Sequence, residues 1–143
     1  MEVGFFTMPI HPLDKDYRKT LAEDREAFLL ADEIGFSEAY CGEHYTDAAE
    51  NITSSTVFIA SLAAATKNIR LGTGTVNLPN SHPAAVAGQI AMLDHMLDGR
   101  LNFGISPGGL ASDAEVFGNL EKNRNEMFVS YTHLRAHETL LDL

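Results

Sequence analysis

Four short apolar runs punctuate the chain: VGFF from Val3, FSEAYC from Phe36, IRLGTGTV from Ile69 and LNFGI from Leu101. Each is compact and mainly apolar, and reads as a buried strand of a parallel sheet. Their first residues lie 33, 33 and 32 positions apart. Between them the apolar residues change to helical spacing. In TLAEDREAFLLADEIG, Ala27, Phe28, Ala31 and Ile34 fall on one stripe, and Gly35 is placed to close the helix in a left-handed conformation. Ser54 is placed to cap a second helix running to about Thr66. Pro83 suits the first turn of a third, whose buried face carries Val86, Ile90, Leu93 and Leu97 and which Gly99 ends.

Strand and helix alternating at a constant period indicate stacked βα units around a parallel sheet. A doubly wound open sheet and a (β/α)8 barrel both meet that description. A dinucleotide-binding sheet has a glycine-rich first βα turn, whereas here that turn reads TMPIHP. Polar and glycine-rich residues instead recur after every strand, as when all strand C-termini converge on one face, which favours the barrel. Eight such units need about 260 residues. The four present therefore predict the N-terminal half of a (β/α)8 barrel. Such a half-barrel would have two unpaired strand edges and an open apolar interior, calling for a second copy or further sequence.

The residues following each strand are the ones available for chemistry. His11, between Ile10 and Pro12, reads as a turn residue. Glu43, His44 and Tyr45 follow the second strand, where an imidazole beside a carboxylate can move protons near neutral pH. Adjacent residues on an extended chain point apart, and no HxH or HExxH spacing exists, so no metal site is expected. Gly72 and Gly74 interrupt the third strand, marking either close packing in a barrel or the approach of a flat ligand. His82 reads as a residue of the following helix N-terminus. Ser106 to Gly109 could offer backbone amides to an anion, without matching a known phosphate loop. Asp113 and Glu115 enter the next helix, where acids suit the positive end of the helix dipole.

Composition narrows the functional classes. The chain has 143 residues and a net charge of −10, which disfavours binding to nucleic-acid phosphates. No window is long and apolar enough to span a bilayer, and the N-terminus lacks the pattern of a signal peptide. Cys41 is the single cysteine, so no internal disulfide can form, and a cytoplasmic location is expected.

Three segments, EHYTD, LGTGTVNLPNSHPAAVAGQIAMLDHMLDGRLNFGI and SPGGLASDAEVFGN, together resemble the bacterial luciferase-like, flavin-dependent monooxygenases. GISPGG with EVFG is similar to the limonene-monooxygenase-like branch. The resemblance implies a (β/α)8 barrel that binds FMN, or a deazaflavin, at its C-terminal mouth. It implies reduced flavin supplied by a separate flavin reductase, and reaction with molecular oxygen to a flavin C4a-hydroperoxide that oxygenates a small organic substrate. By the same resemblance, His44 matches a catalytic histidine and Glu43 the acid before it. Gly74 and Thr75 match a pair lying against the flavin ring, in some relatives through a non-prolyl cis peptide. Ser106 stands where luciferases often carry a reactive cysteine, and Asp113 matches an acidic position near the flavin.

The resemblance covers about residues 1–128, and residues 129–143 have no counterpart in it. VSYTHLRAHET resembles a translated sequencing adapter, the alternative being an ordinary C-terminal helix, so His133 and His137 are not expected to bind metal. A homo-oligomer is expected, and the chain alone is expected to be an incomplete, inactive portion of the enzyme. Two alternatives remain: a non-catalytic flavin-binding or dimerising half-barrel, and a deazaflavin-dependent oxidoreductase.

Overall fold

The computed structural model describes residues 2–123 and 125–129. Beyond Val129, the tail set apart above lies outside the described residues. β1 (Gly4–Thr7), α1 (Tyr17–Glu33), β2 (Glu38–Cys41), α2 (Ser55–Leu62) and β3 (Arg70–Thr73) follow the expected alternation. They are followed by β4 (Val76–Asn77), a 3-10 turn (Leu78–Asn80), α3 (Pro83–Met96), β5 (Leu101–Asn102), β6 (Ile105–Ser106) and α4 (Ala111–Val116).

β1, β2, β3 and β5 form one parallel sheet in chain order, with Gly4 opposite Glu38, Glu38 opposite Arg70, and Leu71 opposite Leu101. Parallel neighbours need crossover connections, which the helices supply. The expected local signals set the helix ends. Ser54 Oγ accepts the Val57 amide, Pro83 opens α3, and Gly35 and Gly99 have φ of 87° and 72°. Asp32, on the last turn of α1, accepts the amides of Lys67, Asn68 and Ile69 and so aims the chain into β3.

The third and fourth apolar runs differ from expectation, because each forms two strands rather than one. β4 and β6 pair as a second small parallel sheet, with Val76 opposite Ile105 and Asn77 opposite Ser106. The breaks fall side by side. The Gly74–Thr75 peptide bond is cis. Thr73 Oγ1 takes over the local ladder, donating to Gly104 O at 2.7 Å and accepting Gly104 N–H at 2.9 Å. A Cβ on Gly104 would sit 2.2 Å from Thr73 O, so only glycine permits this approach.

One face of the main sheet packs beneath the helices. Ala39, Cys41 and Leu71 on the sheet meet Phe28, Phe58, Ile59, Leu62, Leu93 and Leu97. Phe28 lies edge-on to both Phe5 and Phe58, with ring centroids 5.3 and 5.2 Å apart. The stripe predicted on α1 is partly displaced: Phe28 and Ala31 are buried as expected, but Ile34 is 62% exposed. Thr20 and Asp24 complete the buried side, because loop residues cover them. Asn51 Nδ2 donates to Thr20 Oγ1 at 2.7 Å, and His11 Nε2 lies 2.9 Å from Asp24 Oδ1. His11 is therefore a hydrogen-bond partner of the buried Asp24 and more than a turn residue.

The opposite face, toward the barrel axis, is not the apolar surface expected of it. Tyr40 Oη donates to Glu38 Oε2 at 2.8 Å, Asn102 Nδ2 donates to Tyr40 Oη at 2.9 Å, and Arg70 Nε donates to Asn102 Oδ1 at 2.9 Å. These four side chains occupy paired positions on three strands, so the axial face is a connected polar layer. Packing accounts for both strand-3 glycines: a Cβ on Gly72 or Gly74 would lie 2.2 Å from the Tyr40 ring or 2.7 Å from the Phe6 ring.

Candidate functional site

The site forms where β2 ends. Gly42 N–H donates to Thr7 O at 3.0 Å and Gly74 N–H to Cys41 O at 2.7 Å, holding the ends of β1, β2 and β3 together. Extended backbone then sends Glu43 and His44 to opposite sides. Glu43 is buried. Its Oε2 accepts Ser55 N–H at 3.0 Å and Ser55 Oγ at 2.7 Å, and its Oε1 accepts Asn77 N–H at 3.3 Å. It joins β2 to the start of α2 and to β4, and it does not orient the imidazole.

That role falls to Asp113, on the first turn of α4. Its Oδ2 lies 3.0 Å from His44 Nδ1, while Oδ1 accepts the Tyr45 amide, the Thr46 amide and the Thr46 hydroxyl at 3.1, 2.9 and 2.7 Å. Burial pushes the Asp113 carboxyl up, but hydrogen bonds from Thr46 and His44 outweigh it and hold the group below the usual aspartate value. An ionised acceptor there fixes the proton on Nδ1, leaving Nε2 as the nitrogen that exchanges protons.

A second carboxylate faces that nitrogen. Glu50 Oε2 lies 3.8 Å from His44 Nε2, and the two side chains are 14% and 18% exposed. Burial raises the Glu50 carboxyl, His44 opposes the rise, and Asp47 and Asp113 add to it. Nothing in the local sequence singled Glu50 out, since its position depends on the loop folding back. Tyr45 packs edge-on against Phe117 of the segment after α4, with centroids 4.8 Å apart, making an aromatic wall beside the dyad. Burial, with Glu43 and Asp113 nearby, raises the Tyr45 phenol.

The remaining predicted residues occupy neighbouring strand ends. Gly74 and Thr75 follow β3 directly and are partly exposed. Ser106, on β6, donates to Asn77 Oδ1 at 2.7 Å and accepts Gly108 N–H at 3.1 Å. The structure therefore unites His44 with Asp113, sets Gly74 and Thr75 on the adjacent strand end, and ties Ser106 into the β4–β6 pair. Gly74 and Thr75 leave partly exposed backbone on the strand end next to the imidazole, a surface compatible with one face of a planar ring, while the Phe6 ring fills the space that a Cβ on Gly74 would take. Among the described residues no group of three or more His, Cys, Asp and Glu side chains is arranged to hold a metal ion, and no helix is long and apolar enough to cross a membrane.

Parallel βα units make this an α/β protein with an acid-held imidazole at the C-terminal ends of its strands. The chain belongs to the luciferase-like monooxygenase family, whose model matches residues 1–135. It is 36% identical to limonene 1,2-monooxygenase of Rhodococcus erythropolis over 144 residues, covering 98% of this chain and 37% of that protein. It is 40% identical to 4-hydroxyprotoasukamycin monooxygenase of Streptomyces nodosus subsp. asukaensis over 115 residues, covering 80% of this chain and 31% of that protein. Among solved structures, it matches the oxygenating constituent of 3,6-diketocamphane monooxygenase from the CAM plasmid of Pseudomonas putida, a type II Baeyer–Villiger monooxygenase in complex with FMN. That match has a TM-score of 0.89 at 29% identity, over 93% of this chain and 38% of the other. The sheet and helices thus correspond to the N-terminal half of a (β/α)8 barrel, as the period predicted, and the chain spans 31–38% of these relatives' length.

Proposed function

We propose that this chain is the N-terminal part of a flavin-dependent monooxygenase that uses reduced FMN, delivered by a separate reductase, to oxygenate a small organic substrate. The observation that carries the reading is the Asp113–His44 dyad at the end of β2, with the Gly74–Thr75 backbone on the neighbouring strand end, just after β3. FMN is supported by the complex of the diketocamphane enzyme, and a separate reductase by that protein's being termed an oxygenating constituent. When bound, reduced FMN would supply the electrons and the C4a carbon at which oxygen is activated.

The chain's own residues then divide the remaining work. His44 Nε2 accepts and returns a proton beside the flavin, and Asp113 is the positioning residue that sets the tautomer through Nδ1. Gly74 and Thr75 support the ring face, and Ser106 lines the neighbouring edge through a hydroxyl, which rules out thiol chemistry there. Tyr45 and Phe117 supply an aromatic wall beside the imidazole. Glu43 acts on the site indirectly, by holding the end of β2.

Anaerobic titration of the full-length protein to which this segment belongs with reduced FMN, followed by oxygen uptake with and without His44→Ala, tests the reading. The expected result is FMN binding that survives the substitution and oxygen-dependent turnover that falls by roughly 10²–10⁴-fold. Binding without uptake beyond that of free reduced FMN would indicate a flavin-binding protein without turnover. Preference for a reduced deazaflavin would indicate an oxidoreductase of that kind.

A further inference from the structure

The loop after β2 closes on itself. His44 N–H donates to Ile52 O at 3.2 Å, so residues 44–52 form a closed turn whose far side returns to the imidazole. That return is held from outside by the β1–α1 loop, through the antiparallel bridge between Ile10 and Glu50 and the His11 N–H bond to Ala49 O at 2.9 Å. Two loops thus hold the backbone of Glu50 in place. Its carboxylate reaches the one imidazole nitrogen that Asp113 leaves free.

We propose that Glu50 is the second proton-holding group of this site, exchanging one proton with His44 Nε2 and passing it toward solvent. The Nε2–H bond breaks as an Oε2–H bond forms, and Asp113 keeps the Nδ1 proton in place throughout. At 3.8 Å the pair is longer than a hydrogen bond, so the exchange uses a small carboxyl rotation or one bridging water. The groups that bear on the pair are Asp113 from α4, Asp47 and Tyr45 from the same loop, and Glu43 behind it, which Ser55 and Asn77 occupy. With Asp113 ionised by its own hydrogen bonds, the mobile proton is left to His44 and Glu50. What that proton serves rests on the monooxygenase reading; the sharing itself does not.

The test is an NMR pH titration of the flavin-free chain, labelled with ¹³C and ¹⁵N, that follows the His44 ring and the Glu50 carboxyl carbon. Coupled groups report each other's titration, so each signal should show a step at the other's midpoint. A Glu50 carboxyl that titrates in one step, with no response at the His44 midpoint, overturns the proposal. Glu50→Gln should remove the extra step from the His44 ring signal, because the coupled partner no longer ionises. Glu50→Asp keeps an ionisable partner and should retain that step if the glutamine variant loses its fold. An extra step that persists in folded Glu50→Gln overturns the proposal. Coupling in the chain, without flavin-dependent oxygen uptake by the full-length protein, would leave the proton pair standing and remove the monooxygenase reading.

Discussion

Asp113 and His44 are 69 positions apart in the chain, yet Oδ2 and Nδ1 are 3.0 Å apart. The contact joins the end of β2 to the start of α4 and fixes which imidazole nitrogen can exchange protons. Asp113 is also buried among four donor groups, so its ionised form is part of the folded state.

Asp113→Asn should therefore destabilise the chain in a pH-dependent way. The folded carboxyl titrates below the ordinary value of 3.8, so its contribution is fully present above that value and disappears as pH falls through the lower folded value. Charge-assisted hydrogen bonds of this kind are worth about 1.5–3 kcal/mol, and a loss of about 2 kcal/mol is expected at pH 7. Urea unfolding of both proteins between pH 3 and pH 7 checks this. A stability gap that fails to narrow below pH 3.8 would show that the charge of Asp113 is irrelevant.

Glu50 should behave with the opposite sign. Its folded carboxyl titrates above the ordinary 4.5, so the folded state is favoured below 4.5 and loses that advantage as pH rises through the folded value. Glu50→Gln removes the ionisation and should gain stability relative to the native chain as pH rises from 4 to 7. Thermal unfolding across that range measures the difference. A variant that loses relative stability with rising pH would contradict the burial argument.

How much of this was legible in the sequence depends on the range of the interaction concerned. The 33-residue period, the cap at Ser54, Pro83 in the first turn of α3 and the closing glycines Gly35 and Gly99 are local signals, and the structure keeps them all. His44 was legible for a similar reason, since its position at a strand end follows from the period. Its partner was not. Neighbours on extended chain point apart, so Glu43, the adjacent acid, could not hold the ring, whereas Asp113 could, but only after four βα units had folded. Gly72 and Gly74 marked an interruption in the third strand, but its division into two strands depends on β4 pairing with β6, and the polar axial layer was hidden because Glu38, Arg70 and Asn102 satisfy one another only across strands.

Glu43 and His44 should separate cleanly in a stability assay. Glu43→Ala leaves Ser55 N–H, Ser55 Oγ and Asn77 N–H without their buried acceptor and should cost about 3 kcal/mol or more. His44 is 18% exposed and should cost less than half as much as alanine. Urea midpoints at constant m-value give both numbers. Equal losses would mean that Glu43 is not the clamp joining β2, α2 and β4.

The glycines offer a paired test of the axial face. A Cβ on Gly72 would lie 2.2 Å from Tyr40 Cδ1 and 3.1 Å from Asn102 O. The Tyr40 ring cannot retreat without giving up its bonds to Glu38 and Asn102, so the strain is shared by the whole polar layer. Gly72→Ala should cost about 1–3 kcal/mol, as overpacking does elsewhere. Gly88, exposed within α3, has no atom within 4 Å of the same added carbon. Gly88→Ala meets no obstacle and should gain about 1 kcal/mol from helix propensity. Denaturant unfolding of the two variants side by side should move the midpoint in opposite directions. A neutral Gly72→Ala would mean that the Tyr40 ring has room to move, and that the network through Glu38, Arg70 and Asn102 does not fix it.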